Sequence, residues 1–291
     1  RDKALQVAKI KSDFAANVSH EIRTPLNGML GMINLLKEIG LPEHQNEYLE
    51  VASKSGESLL LMINDVLDFS KVEAGRYTLD ISKIHLRVFL EQIALLHAER
   101  AQAKGLELCL NFSEIGSATM NGDATRMRQV IGNLLNNAIK FTEAGHITLS
   151  ASIAYAESSN GMLEINVTDT GIGIPKEALA RIFQPFGQVS AEISNDYGGT
   201  GLGLSIVVEM VKLMGGKISV ASNEGKGSRF KMSMPVTTLS NDVEVQHDNI
   251  TLLHGKRILL VEPFKSTTNY LKAIFEQWKV DCVVVKSYTE A

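Results

Sequence analysis

The sequence predicts a helical hairpin, then a mixed α/β region, then a short closing β-α-β stretch. Three observations carry that reading. Over roughly the first 70 residues apolar side chains recur every three or four positions, with a single Gly-Leu-Pro interruption. Beyond about residue 77, period-two segments and glycine-rich turns alternate with helical runs. After a polar stretch, two short apolar runs then flank one more helical pattern.

The hairpin comes first. Ile10, Phe14, Val18, Ile22, Leu26, Met29 or Leu30, Ile33 and Leu36 follow helical spacing over 5–39. Gly40 can end that helix and Pro42 can begin the next. In the second run Tyr48, Ala52, Ser55, Leu59, Met62, Val66 and Phe69 alternate by four and three, the rhythm of a coiled-coil seam. Leu60, Ile63 and Leu67 form a second stripe that widens the apolar arc. Two helices cannot bury that much surface, so a symmetric homodimer forming a four-helix bundle is expected.

The α/β region opens with a helix over 86–104 and a strand over 106–111. Asp123 is placed to cap a helix through Lys140, with Met127, Val130, Ile131, Leu134, Leu135 and Ala138 facing inward. Asn133, Asn137 and Lys140 share one polar stripe of that helix. Carboxamide oxygens suit an octahedral Mg²⁺ shared with phosphates, and Asn137 is the metal-ligand candidate. Leu163, Ile165 and Val167 alternate along a strand that ends at Asp169-Thr170-Gly171-Ile172-Gly173. A carboxylate leaving a buried strand suits the exocyclic amine of adenine, and the glycines would admit the base closely. Further on, Phe183-Gln184-Pro185-Phe186 precedes Gly199-Thr200-Gly201-Leu202-Gly203, which opens an apolar-periodic helix. Glycine-rich backbone at a helix N-terminus presents N–H groups to phosphate. Gly215-Gly216 ends that helix, and a hairpin over 217–234 turns at 223–227.

Composition narrows the function classes. A length of 291 residues fits about two domains. At 44% hydrophobic and 21% charged, wholesale disorder is excluded. The net charge of -4 argues against nucleic acid as a partner. Cys109 and Cys282 stand far apart without a CxxC, which excludes a disulfide framework or zinc ribbon. No apolar run approaches the roughly 20 residues of a membrane helix, so this piece should make no direct membrane contact. A chain that starts on Arg1-Asp2-Lys3 has no signal peptide and reads as an excised piece of a longer protein.

Two motif sets point to a family. The stretch Asn17-Val18-Ser19-His20-Glu21-Ile22-Arg23-Thr24-Pro25-Leu26-Asn27 closely resembles the phosphoacceptor box of sensor histidine kinases. At about 100° per residue His20 points about 160° away from Ile22, on the outer face with Thr24 and Asn27. A proline inside a helix is costly enough to need a reason. The resemblance implies that His20 accepts a phosphoryl group from ATP, that Glu21 acts as base, and that Thr24 serves phosphatase activity. Asn133–Thr142 resembles the N box and Phe183–Phe186 the F box, and with Asp169–Gly173 between them and Gly199–Gly203 after them the motifs stand in the family's order. Residues 79–236 thus resemble the histidine-kinase ATPase domain of the Bergerat (GHKL) type, an α/β sandwich with helices on one face of a mixed sheet. One departure stands in the lid, where many relatives have a basic residue before the tyrosine and this chain has Asp196 before Tyr197. That predicts a weaker grip on the terminal phosphate, with Lys176 or Arg181 as the compensating cations.

The closing stretch resembles the start of a flavodoxin-like receiver, as in hybrid kinases: a strand over 256–261, a helix over 266–278 and a strand over 280–285. Receivers hold Mg²⁺ through an acidic pair after the first strand, and Glu262-Pro263 supplies one carboxylate only. The expected domains are therefore 1–76, a dimerisation and histidine-phosphotransfer hairpin; 77–238, the ATP-binding domain; 239–255, a linker; and 256–291, the start of a receiver or pseudo-receiver. The expected activity is ATP- and Mg²⁺-dependent autophosphorylation of His20. Transfer to a receiver aspartate, in this chain or on a partner, follows, and phosphatase activity toward that receiver is expected too. The chain would be the cytoplasmic portion of an inner-membrane sensor. A clamp-type ATPase is the competing enzyme reading, and the phosphoacceptor box opposes it. A degenerate dimeric sensor that binds nucleotide without transfer is the non-enzyme alternative, which the intact Asn133, Asn137, Lys140 and Asp169 oppose.

Overall fold

A computed structural model describes residues 2–73, 78–157, 160–185, 187, 201–240, 253–262, 265–285 and 287. Cα packing divides the chain into two compact units, residues 1–79 with 180–210 and residues 80–179 with 211–291.

The first unit holds the hairpin, α1 (Asp2–Glu38) and α2 (Glu43–Glu73). α1 continues on both sides of Pro25. Gly40 sits just past its end with φ +77°, a left-handed conformation that glycine adopts without strain. The Pro42 carbonyl accepts from Gln45 and Asn46 N–H, so the second helix starts where the proline predicts. The seam between the helices is displaced from the expected one. Among the described side chains of α2, Ser53, Ile63, Leu67 and Ser70 are buried, with Leu49, Gly56 and Leu60 half-buried between them. Leu59, Met62 and Val66 of the predicted seam remain 40–44% exposed. The cause is size: a Cβ at Gly56 would come within 2.8 Å of Leu30 Cδ2, so α1 approaches α2 along small residues that hydrophobicity does not mark. Arg23 Nη2 donates to Asn64 Oδ1 across the same pair at 2.7 Å.

The second unit is built on a seven-stranded sheet. Its strands are β1 (Ser82–His85), β2 (Glu107–Glu114), β3 (Thr119–Gly122), β4 (His146–Glu157), β5 (Asn160–Asp169), β6 (Lys217–Asn223) and β7 (Gly227–Ser240). The order is β1-β3-β7-β5-β4-β2, with β6 also on β7; only β2–β4 is parallel. The inward row is apolar: Ile147 and Leu149, Leu163, Ile165 and Val167, Phe230, Met232 and Met234 are buried. Helices α3 (Leu86–Ala103) and α4 (Ala124–Phe141) cover it, α4 against β5 and α3 against α4 and β2. Lys104 Nζ holds α4's last turn, donating to the carbonyls of Ile139 at 2.8 Å and Lys140 at 3.1 Å. The sequence reading assigned no strand to β1, β3 or β4. β4 has a legible alternation, whereas four-residue β1 and β3 are too short to show a period.

The polar segment assigned to the linker begins later than expected. β7 runs to Ser240, where Thr238 pairs with Met120 and Ser240 with Thr119, so 239 and 240 belong to the sheet. The short helix α5 (Lys176–Leu179) follows the Asp169 loop, and α6 (Gly203–Leu213) precedes β6. The tail forms a separate parallel pair, β8 (Arg257–Val261) and β9 (Asp281–Val285), joined by α7 (Lys265–Gln277). Among the described residues no helix is long and apolar enough to cross a membrane.

Candidate functional site

β5 delivers Asp169 to the end of a central strand, where the residue is only 7% exposed. Its Oδ1 accepts from Gly171 N–H at 2.9 Å and Ser228 N–H at 3.2 Å, while among the described residues no donor reaches Oδ2. Burial pushes the Asp169 carboxyl above the ordinary carboxylate value, and the two backbone bonds pull the other way. One carboxylate oxygen is thus fixed and the other is left to accept. Both glycines of the motif approach the protein's own backbone: a Cβ on Gly171 would overlap the Phe141 carbonyl, and one on Gly173, at φ +70°, the Asn223 carbonyl. Thr170 Oγ1 ties the loop to β4, accepting from His146 N–H at 3.0 Å and donating to the His146 carbonyl at 3.2 Å.

α4 starts as expected. Asp123 caps it, Oδ1 accepting from Arg126 N–H at 3.0 Å, and Oδ2 also accepts from Asp80 N–H at 3.0 Å. Asn133, Asn137 and Lys140 are all half-buried on it. Arg100 occupies the neighbouring Asn136 Oδ1 at 2.8 Å, whereas among the described residues no partner hydrogen-bonds the side-chain amide of Asn133 or Asn137. Those two carboxamides are therefore available to a ligand. Burial lowers the Lys140 ammonium from the ordinary lysine value, and its Nζ lies 4.7 Å from the Phe141 ring centroid.

In the other unit, Phe183 is half-buried, and Gly201 takes φ +69° just before buried Leu202 and the start of α6 at Gly203. Ser205 Oγ donates back to the Leu202 carbonyl at 2.8 Å. Phe186, Gly199, Thr200, Asp196 and Tyr197 lie outside the described residues, as does Pro263; Lys176 and Arg181 are exposed. On α1, Glu21 and Thr24 are exposed, Ser19 and Leu26 are buried, and His20 has a helical backbone while its side chain lies outside the described set. Sequence reasoning missed Ser222 and Ser228, which bond to the Asp169 loop. Their only local signal is their place flanking a glycine-rich turn.

Comparison with known proteins gives two domain matches. Residues 10–75 match the His Kinase A (phospho-acceptor) domain, and residues 122–238 match the histidine kinase-, DNA gyrase B- and HSP90-like ATPase. The signal transduction histidine-protein kinase BarA of Shigella flexneri is 38% identical over 289 residues, covering 99% of this chain and 31% of the relative. The sensor protein GacS of Pseudomonas syringae pv. syringae is 42% identical over 84% of this chain and 27% of its own length. The autoinducer 2 sensor kinase/phosphatase LuxQ of Vibrio cholerae serotype O1 is 39% identical over 81% and 27%. The chain thus spans under a third of these curated relatives. Among solved structures, full-length ShkA in complex with AMPPNP superposes with a TM-score of 0.76 at 32% identity, over 96% of this chain and 57% of that one. With a phospho-acceptor match on the hairpin, an ATPase match on the sheet and a histidine-protein kinase aligned along nearly its whole length, the chain belongs to the sensor histidine kinases.

Proposed function

We propose that this chain binds Mg·ATP in its α/β region, moves the γ-phosphoryl group to His20 and passes it to a receiver aspartate. The observation that carries the reading is Asp169, a buried carboxylate with one oxygen anchored by two backbone N–H groups and the other left for adenine's exocyclic amine. The nucleotide analogue in the ShkA crystal agrees with ATP as the ligand class. Asn133, Asn137 and Lys140 would address the phosphates, joined by the Gly199–Gly203 backbone. A donor set of carboxamides fits Mg²⁺ that brings phosphate oxygens with it, Asn137 being the protein ligand; the ion would neutralise charge building on the phosphates. Phe183 and Phe186 are the nucleotide-binding candidates of the F box.

In the transfer an imidazole nitrogen of His20 forms the N–P bond as the bond from γ-phosphorus to the β-bridging oxygen breaks and ADP leaves. Glu21 holds the proton on the other ring nitrogen and takes it as positive charge develops. Positioning and charge neutralisation supply most of the acceleration. The exposed stripe of Leu59, Met62 and Val66 supports the homodimer, since it is the seam the hairpin leaves uncovered. In the tail, Leu259 and Val283 pair in register and are about half exposed, as the first two strands of a receiver would be before its other strands and helices cover them. The domains proposed are 1–76, 77–240 and a receiver beginning near 256, within the cytoplasmic part of a membrane sensor. Asp196 and Pro263 favour a degenerate sensor as the second reading.

Incubating the chain with γ-labelled Mg·ATP should give an acid-labile label that is absent from His20→Gln. Undiminished labelling of that variant would sink the assignment.

A further inference from the structure

Between the loop after β5 and the β6–β7 turn lies a junction that the nucleotide reading above does not use. Its centre is Ser222. The Ser222 hydroxyl accepts from Ile174 N–H at 2.8 Å, donates to the Gly227 carbonyl at 2.9 Å and pairs with the Ser228 hydroxyl at 3.0 Å. A serine hydroxyl has one proton and two lone pairs. With that proton on the Gly227 carbonyl, Ser228 must be the donor in the third bond, and the capacity of Ser222 is then full.

The residues that Ser222 ties are the ones that hold Asp169. Ser228 N–H donates to Asp169 Oδ1. Gly227, at φ +89°, approaches the Asp169 carbonyl so closely that any Cβ would overlap it. On the loop side, Gly225 N–H donates to the Ile172 carbonyl at 2.7 Å, and Gly173 lies against the Asn223 carbonyl. The turn and the loop therefore interlock at four places, and one side chain bridges both.

We propose that Ser222 is a positioning residue for base recognition. Its hydroxyl locks the 223–227 turn onto the 170–175 loop, and through Gly227 and Ser228 it sets where the Asp169 carboxylate stands. This inference rests on Asp169 being the adenine acceptor. Ser222 acts through Asp169, without touching nucleotide. Hydrogen bonds weaken steeply once distance and angle leave their narrow range, so a turn free to slide would blunt the Asp169 contact first. Removing the hydroxyl also strands the Ile174 N–H and the Ser228 proton, which then compete for other partners.

The test is calorimetric binding to the 291-residue chain of ATP and of purine riboside triphosphate, whose base lacks the exocyclic amine. Wild type should prefer ATP by roughly tenfold or more. Ser222→Ala should reduce that preference to within about threefold, mainly by weakening ATP, while Ser222→Thr, which keeps the hydroxyl, restores it. Ser222→Cys, a poorer hydrogen-bonding group of similar size, should fall between, and gives the answer if the alanine variant does not fold. In an Asp169→Asn background, Ser222→Ala should change the preference no further, because both changes act on one contact. Thermal unfolding is followed in parallel. A Ser222→Ala protein with a lowered Tm and an intact preference for ATP makes Ser222 structural and overturns the proposal. Equal weakening of both nucleotides overturns it as well. If Asp169→Asn leaves the preference untouched, the adenine reading fails and the role of Ser222 falls with it. That pattern differs from failure of the Ser222 link alone.

Discussion

Asp169 meets two opposed demands: a buried carboxylate weakens the fold, and an ionised oxygen left over strengthens the grip on an amine. Its carboxyl is raised by burial. For a carboxyl raised on folding, the stability penalty is full above the folded pKa and fades as pH falls through it toward the unfolded value. Asp169→Asn can keep the bonds from Gly171 and Ser228 through its amide oxygen while losing the charge. Thermal unfolding should therefore show the variant at least as stable as wild type at neutral pH, with the gap closing in acid. ATP affinity should fall by about 10- to 150-fold, the worth of a hydrogen bond to a charged group; unchanged affinity by calorimetry would make Asp169 a turn residue only. On the function proposed above, Thr24 would separate two reactions in the same way. It lies one turn beyond His20 on α1, where its hydroxyl can orient a water toward a phospho-receiver but is no base. Thr24→Ala should keep autophosphorylation within a few-fold and slow receiver dephosphorylation by about 10²–10³, the cost of one transition-state hydrogen bond. Glu21→Gln should do the opposite. Loss of labelling with phosphatase activity spared would reverse these roles.

Two stripes divide the work of α2, and the sequence shows both. The sequence rhythm marks as the seam the one that α1 leaves exposed, while Ile63 and Leu67 of the other are buried. The row at Tyr48, Ala52, Ser55, Leu59, Met62, Val66 and Phe69 is prominent in the sequence because most of its side chains are large and apolar. The row that α1 covers contains Ser53, Gly56 and Ser70, small residues that pack closely and carry no hydrophobic signal. The helix, its turn and its length were readable from period and capping alone, whereas the choice of face depends on what approaches it from elsewhere in the chain. The same limit applies around Asp169: the acid and its two glycines were legible, but the Phe141 and Asn223 carbonyls that require those glycines are distant in sequence. The two stripes should respond differently to mutation. Met62→Lys places a charge on the uncovered row, so light scattering should show the dimer giving way to monomer while circular dichroism keeps its helicity. Ile63→Ala empties a covered site and should cost roughly 2–5 kcal/mol in unfolding free energy. Retained dimer mass for Met62→Lys would show that the exposed row is not the subunit interface.

At the scale of the whole chain, the sheet rather than the polarity of the sequence decides where the ATP-binding region ends. Asn and Asp become frequent after residue 239, which is why the sequence places a boundary there. β3 nevertheless joins the sheet to β7 through just two register pairs, Met120 with Thr238 and Thr119 with Ser240. Thr238, Thr119 and Met120 are all buried, and β1 reaches the sheet through β3. Ending the chain at Val236 should leave β3 without its β7 partners and expose Met120. A loss of even 1 kcal/mol at this size shifts Tm by about 2–4 °C, and several backbone bonds are involved. Ending it at Ser240 should keep Tm and ATP affinity close to those of the full chain, since β8 and β9 pair only with each other. The tail does touch the sheet: α7 packs against edge strand β2, where Thr267 Oγ1 lies 3.8 Å from Cys109 Sγ. The chain ending at Ser240 should therefore show faster alkylation of Cys109 by a maleimide at unchanged stability, with Cys282 removed along with the tail. Equal Tm values for the chains ending at 236 and 240 would mean that the β3–β7 pairing contributes nothing to the fold.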